Sequence, residues 1–505
     1  MGGKPWQSMG CFNCKKRKKK CDKQEPECQR CLERGVQCQG YPMNIIFFHQ
    51  NAQTQSEKRK KKATSLKETE YLSRAQPLIL RNGPSKREQI ISSYITAYFP
   101  ADVKGSTDID PWYNLLAGIS KLPSKPMMLE KALAAKACIW LSKTNQTDRS
   151  SDDMYRYGLQ LYNDAIGHMS HQLNRKRKLY IDELIYTVAL FQGLVSCHCP
   201  QGLGVWLDQM TVTNGILKQY YRQKSDNPLV QSIYLGFHRT RLLQSLSPIQ
   251  SKAPVDMAVE DFPYHIPPDA YRPFDELFEI MSEMAPFLAA IQKINLFSHE
   301  NRQRLLFDCL AHRELLVAWY AKQVENIGGL PWIGTSLSKL PPAEHLFGTS
   351  YCFSSLDCGR LHVLYWAALS IMQGVIGQAW CYVHYSSASS LGVFNNPEYQ
   401  LSKFYADEIS RALPYCLQDS HRAWGSNITI FSLGQIAKVY LEFQCREELM
   451  WSQEVFKLMG SRGYDFPGHF SHLINYVWMA SEASSSTSSS SQSSPLKNQE
   501  TPSPA

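Results

Sequence analysis

Six cysteines between residues 11 and 38 constrain this chain more than anything else in its sequence. They run Cys11-x2-Cys14-x6-Cys21-x6-Cys28-x2-Cys31-x6-Cys38, so the unit Cys-x2-Cys-x6-Cys occurs twice, seventeen residues apart. Residues 1–40 are otherwise basic and poor in apolar side chains. They cannot build a hydrophobic core, so a fold there needs a metal. A Cys-x2-Cys pair can place both thiolates on one tetrahedral zinc. Two zinc ions need eight coordination positions, and six cysteines supply eight only if two of them bridge both metals. The repeat implies a pseudo-twofold, which puts the bridges at equivalent positions: Cys11 with Cys28, Cys14 with Cys31, or Cys21 with Cys38. Spacing alone does not choose among these.

The competing arrangements are two mononuclear zinc sites or a disulfide knot. A single zinc ribbon would leave two cysteines idle, and RING or LIM modules use histidine, whereas the first histidine here is His49. The first ten residues, MGGKPWQSMG, contain no apolar run, so an oxidising secreted setting is not expected. The total of 15 cysteines is odd, which fits reduced thiols better than a disulfide framework.

Charge is as unevenly placed as cysteine. The chain has 54 Lys plus Arg and 45 Asp plus Glu, a formal net charge of +9. Residues 1–90 hold 20 basic and 8 acidic residues, and the remainder holds 34 and 37. A basic end on a near-neutral body predicts a polyanionic partner. The densest run, KKRKKK at residues 15–20, lies between Cys14 and Cys21. It reads either as a solvated charge run or nuclear import signal, or, beside a metal cluster, as a short helix aimed at DNA: phosphates need cations, and guanine O6 and N7 favour Lys or Arg. A second run, Lys58, Arg59, Lys60, Lys61 and Lys62, suits nuclear import or contacts along a DNA backbone.

On these residues the segment resembles the fungal zinc binuclear cluster family of transcription regulators. CFNCKKRKKKCD is similar to the family's first half and PECQRCLERGVQC to its second. The resemblance implies two Zn(II) per chain, held by Cys11, Cys14, Cys21, Cys28, Cys31 and Cys38, with Cys11 and Cys28 bridging. It implies Pro26 as the loop proline, in cis. It also implies that the first helix enters the major groove of double-stranded DNA and reads a CGG-type triplet. Lys18 is then the first candidate for guanine contact and Arg17 the second, while Lys15, Lys16, Lys19 and Lys20 meet phosphates or the groove edge. Arg30 and Arg34 meet phosphates at most.

The rest of the chain reads as helical. Apolar residues recur at three-to-four spacing over 127–142, 154–173, 180–196, 205–221, 274–296, 302–325, 359–384, 401–417, 428–445 and 468–482. Pro-rich breaks fall at 247–273 and 328–345. Residues 361–383 carry no Asp, Glu, Lys or Arg, yet His362, Ser370, Gln373 and Gln378 favour a buried central helix over a membrane span. The linker shows no heptads beyond Leu66, Leu72 and Leu78, so no coiled coil is expected there.

The expected layout is therefore 1–10 disordered, 11–38 the zinc binuclear cluster DNA-binding domain, and 39–88 a basic linker. An all-α domain follows at 89–483, with two subdomains meeting near 250–270, and 484–505 forms a disordered Ser/Pro-rich tail. The body has a weaker resemblance to the fungal-specific regulatory domain, carried by RYGLQLYNDAIGHMSHQL, DELIYTVALFQ and WLDQMTVTNGIL. Trp206 and Gly215 fit that pattern, while Gln209 stands where a histidine is expected. Such domains regulate.

Other constellations are bland. His168 and His171 lie three apart on one expected helix without an acidic or cysteine partner, and read as surface or capping residues. Cys197-His198-Cys199 reads as buried thiols at a helix end. Asp152-Asp153 and Glu447-Glu448 read as caps or solvated faces. No phosphate loop, nucleophile elbow or HExxH occurs, so an enzyme is not expected. The expected function is a nuclear, sequence-specific regulator of RNA polymerase II transcription. Its partners are DNA with CGG-type half-sites, a second copy of the chain and the transcription machinery, with no membrane. Such regulators often control dispensable pathways, including secondary-metabolite gene clusters. A protein-binding co-regulator, and a helical enzyme with a zinc targeting module, are the rival readings.

Overall fold

The computed structural model describes residues 12–17, 19–22, 28–36, 86–100, 127–144, 149–174, 181–198, 227–246, 272–385 and 394–465, with a few single positions between them. The expected N-terminal and C-terminal tails, the linker with Lys58–Lys62, the helices at 205–221 and 468–482, and the split near 250–270 lie outside the described residues. The chain divides into two compact units, Met1–His49 and Gln50–Ala505.

The first unit contributes two short helices, α1 (Phe12–Lys16) and α2 (Gln29–Leu32). The second is a helical assembly: α3 (Lys86–Tyr98), α4 (Met127–Thr144), α5 (Arg149–Asn174), α6 (Ile181–Cys197), α7 (Pro228–Leu246), α8 (Pro273–Ser282), α9 (Ala285–Ile291), α10 (His299–Gln323), α11 (Glu344–Phe347), α12 (Leu356–Tyr385), α13 (Pro397–Cys416), α14 (Arg422–Glu442) and α15 (Arg446–Ser461). One departure from an all-α body is a small antiparallel hairpin. In it β1 (Trp332–Ile333) pairs with β2 (Tyr351–Cys352), Trp332 opposite Cys352.

Helix α12 is the centre of the body. Every residue from Leu361 to Gly377 is buried, so the helix is covered all round by α10, α13 and α14. That accounts for its uncharged stretch, and no described helix is long and apolar enough to cross a membrane. Ser370 within it is satisfied by neighbours, whereas Gln373 Oε1 is buried with no hydrogen-bond partner among the described residues. Ser370 Oγ donates to the Ser402 carbonyl at 3.0 Å, Ser402 Oγ donates back to the Ser370 carbonyl at 2.9 Å, and Gln435 Nε2 donates to Ser370 Oγ at 3.2 Å.

Two expected helices are interrupted. The 274–296 pattern becomes α8, α9 and a single 3-10 turn, Ile294–Leu296. Pro286 causes the first break, because it cannot donate to the preceding turn and sits instead in the first turn of α9. The 428–445 pattern ends at Glu442, where Gln444 takes φ 54° and the chain turns into α15. LEFQCREELM holds no glycine or proline, so nothing in the sequence marks that turn. Helix α7 was not among the expected helices. It starts at Pro228 and is capped by Asn227 Oδ1, which accepts the Leu229 N–H at 3.0 Å.

Candidate metal centre and nucleic-acid interface

Among the described residues the first unit has no apolar core. Its buried cluster consists of Cys14, Cys28 and Cys31, at 4%, 0% and 2% exposure, with Cys21 packed against them. The backbone is arranged to converge these sulfurs. Cys14 lies within α1, and the Lys19 N–H bonds back to the Cys14 carbonyl at 3.0 Å as that helix ends. Cys28 is the N-cap of α2, extended at φ −69° and ψ 142°, and its carbonyl accepts the Cys31 N–H at 2.9 Å. Gly35, at φ 63°, closes α2 in the left-handed region, and the Val36 N–H bonds to the Cys31 carbonyl at 3.1 Å.

Side chains join the two halves of the repeat. Asp22 Oδ2, from the first half, accepts the Gln29 N–H at the start of α2 at 2.9 Å. Asn13 Nδ2, from α1, donates to Cys31 Sγ at 3.8 Å.

The sulfur geometry suits a tetrahedral soft cation. Cys14 Sγ and Cys28 Sγ lie 3.7 Å apart, far beyond a disulfide. Four sulfurs at about 2.3 Å from one zinc are about 3.8 Å apart along a tetrahedral edge. Among the described residues two ligand groups are formed, one of Cys14, Cys28 and Cys31 and one of Cys21, Asp22 and Cys28, each with its donor atoms within 4.8 Å of one another. Cys28 belongs to both. Cys11, Cys38 and Pro26 lie outside the described residues.

Beside the thiols the surface is cationic. Lys16, Arg17, Lys19 and Lys20 are exposed along α1 and the segment after it, and Arg30 and Arg34 are exposed on and after α2. Lys15 lies in α1, and Lys18 lies outside the described residues. Among the described residues of the KKRKKK run, Lys15 and Lys16 are helical, and α1 ends at Lys16.

Elsewhere, the histidines at 168 and 171 join no ligand group among the described residues. Asp152 falls in the first turn of α5, and Glu447 and Glu448 fall in the first turn of α15, where negative charge suits the helix dipole.

His198 has a role that its sequence neighbours did not reveal. It is buried, with Nδ1 3.2 Å from Asp465 Oδ2 and Nε2 3.1 Å from the Tyr155 hydroxyl. Burial lowers its pKa against the opposing pull of Asp465. The imidazole is then neutral, so Nδ1–H donates to the carboxylate and Nε2 accepts from the tyrosine. Burial and Asp465 together push the Tyr155 hydroxyl up to about 12, which keeps that proton in place. Burial also works to raise Asp465, but His198 and the Lys143 ammonium paired with it outweigh burial and hold the carboxyl at about 2. With His198 at 1% exposure, these contacts act as a structural clasp. No local signal could have found it, because Asp465 lies 267 residues away in sequence.

No curated protein and no solved structure matches the chain. Residues 9–44 match the family model described as the fungal Zn(2)-Cys(6) binuclear cluster domain, and the helical body lies outside that match. With the converging thiols and the basic helix beside them, the N-terminal segment is a domain of this family, a module that binds two zinc ions and supports a DNA-binding regulator of transcription.

Proposed function

We propose that the chain is a nuclear, sequence-specific regulator of RNA polymerase II transcription that reads a CGG-type triplet through α1 and the basic residues following it. The observation that carries this reading is the pairing of a buried thiol cluster with an exposed cationic surface at Lys16, Arg17, Lys19 and Lys20. Cys11, Cys14, Cys21, Cys28, Cys31 and Cys38 are the metal ligands in this proposal, with Cys11 and Cys28 bridging. The place of Cys28 in both ligand groups supports its half of that assignment. Zinc, when bound, supplies the cross-links that an apolar core would otherwise provide.

The chain's own residues do the rest. Asp22 fixes the start of α2, and Asn13 reaches across to Cys31. The cations of residues 15–20 face the nucleic acid. Lys18 and Arg17 contact guanine and the other lysines contact phosphate, while Lys58–Lys62 serve nuclear import or extend the backbone contacts. The helical body regulates, and the finer reading is control of a dedicated pathway such as a secondary-metabolite gene cluster.

The test is binding of the zinc-loaded full chain to a CGG-containing duplex and to a scrambled duplex. Lys18→Ala should weaken the CGG duplex by about 1–3 kcal/mol relative to the scrambled one. Equal weakening on both would reduce Lys18 to a phosphate contact, and no preference in the unmodified chain would overturn the triplet reading.

A further inference from the structure

Helix α10 is amphipathic in an unusual sense, because it carries apolar residues on both sides. Its inner face is filled by Leu305, Cys309, Leu316 and Trp319, all buried in the body. The outer face should then be polar, as on most surface helices. Instead it exposes Phe307 at 70% and Leu315 at 51%, with the exposed Ala311 midway between them. At about 100° per residue these three fall on one stripe, about 120° round the helix from the buried face. Arg304 and Ala318 continue the stripe outward, and Glu300 and Lys322 end it.

The stripe is centred on Ala311, with apolar side chains in the middle and opposite charges at its two ends. Phe307 and Leu315 lie four residues either side, Arg304 and Ala318 seven, and Glu300 and Lys322 eleven. A stripe with an apolar middle and opposite charges at its ends is complementary to a reversed copy of itself, which meets the condition for an isologous contact under a two-fold axis. We propose that α10 pairs antiparallel with α10 of a second copy of this chain, the two-fold axis passing through Ala311.

Charge selects the orientation. Antiparallel pairing sets Glu300 against Lys322 of the second copy at both ends of the contact. Parallel pairing would oppose Glu300 to Glu300 and Lys322 to Lys322. In between, Phe307 covers Leu315 of the second copy twice, and the small Ala311 lets the helices approach at the centre. The present partners of the end residues do not hold them back. Glu300 meets Arg304 at 3.4 Å with both side chains exposed, and the exposed Lys322 meets the half-buried Glu276 at a long 3.4 Å, while Gln323 Nε2 donates to that carboxylate at 2.7 Å, so neither ion pair contributes much.

The contact spans about 33 Å of helix, from residue 300 to residue 322. One helix pair falls at the small end of specific interfaces, so the dimer is weak and concentration-dependent in free solution. Its use on paired half-sites rests on the proposed DNA reading. There the second copy binds at the high effective concentration set by the first. No such seam was found in the linker, whose leucines are too few and too badly spaced.

Sedimentation velocity of the full chain without DNA tests the surface itself. The expected result is a monomer–dimer equilibrium that F307E and L315E each weaken at least tenfold, with unchanged melting because both positions are exposed. Glu300→Lys alone should weaken the dimer, and Glu300→Lys together with Lys322→Glu should restore it. A chain that stays monomeric at all concentrations, or a dimer untouched by F307E and L315E, overturns the proposal. A double reversal that fails to rescue overturns the antiparallel register. Failure of the DNA reading shows separately, as loss of CGG preference by the unmodified chain while the sedimentation results stand.

Discussion

Asn13 ties one half of the cysteine repeat to the other. Its side-chain amide reaches Cys31 Sγ from the opposite half of the repeat, at 3.8 Å. A donor at a thiolate spreads negative charge away from the sulfur and fixes its direction, and outer contacts of this kind commonly change metal affinity by about 10–100-fold. Asn13→Ala should therefore lower zinc affinity by about tenfold or more, measured by competition with a chromophoric chelator on the full chain. Asn13→Asp keeps the size but not the donor, and should fall with the alanine variant rather than with the wild type. The cysteines themselves were legible because a metal imposes fixed ligand types at fixed spacings. Asn13 was not, because its partner is chosen by the fold of two short helices and not by distance along the chain.

At the scale of elements, α12 and α13 pack more closely than side chains normally permit. A Cβ added at Gly377 would lie 2.7 Å from Tyr399 Cβ and 2.9 Å from its Cα, so the backbones would have to part. One turn earlier, a Cβ at Gly374 would meet nothing nearer than Ser402 Oγ at 3.8 Å. The two substitutions should have opposite signs. Gly377→Ala should destabilise by about 1–3 kcal/mol through overpacking. Gly374→Ala should be neutral or stabilise by up to about 1 kcal/mol, from helix propensity. Urea midpoints of the two variants decide the matter, and equal effects would mean that the close approach is not a constraint.

The helices themselves were mostly visible in the three-to-four spacing of apolar residues, and α12 stood out by its lack of charge. Their ends were less visible. Pro286 and Pro397 announce new helices, but the turn at Phe443–Gln444 follows from tertiary packing and has no local mark. The hairpin of β1 and β2 is too short to show alternation at all.

Over the whole molecule, the clasp of Lys143, Tyr155, His198 and Asp465 ties three early helical elements to a residue beyond α15. Because Asp465 is held at about 2 in the folded chain and near the ordinary carboxylate value of about 4 when unfolded, it binds a proton more readily unfolded. Its contribution is fully present above about pH 4 and is lost as the pH falls through about 2. The difference is worth about 2 kcal/mol. Asp465→Asn should lower stability by about that amount at neutral pH, and the gap to the wild type should close on acidification below about pH 4. A gap that is constant with pH would mean the carboxylate charge is not what the clasp uses. A contact joining residues this distant could not be read from either end of the sequence, whereas the division into a basic cysteine-rich end and a helical body could.

Burial in the body has one more effect, on metal bookkeeping. Burial pushes the thiols of Cys138 and Cys416 to about 12, and burial with Asp308 does the same for Cys309. Burial with Glu448 takes Cys445 to about 11, and Cys352, Cys358 and Cys381 are also raised. Zinc binds the thiolate, so these protonated side chains are poor competitors for it. A chain with 15 cysteines can thus sit in excess zinc without scavenging it through its described body thiols. Zinc retained by the chain is therefore not drawn by these seven described thiols.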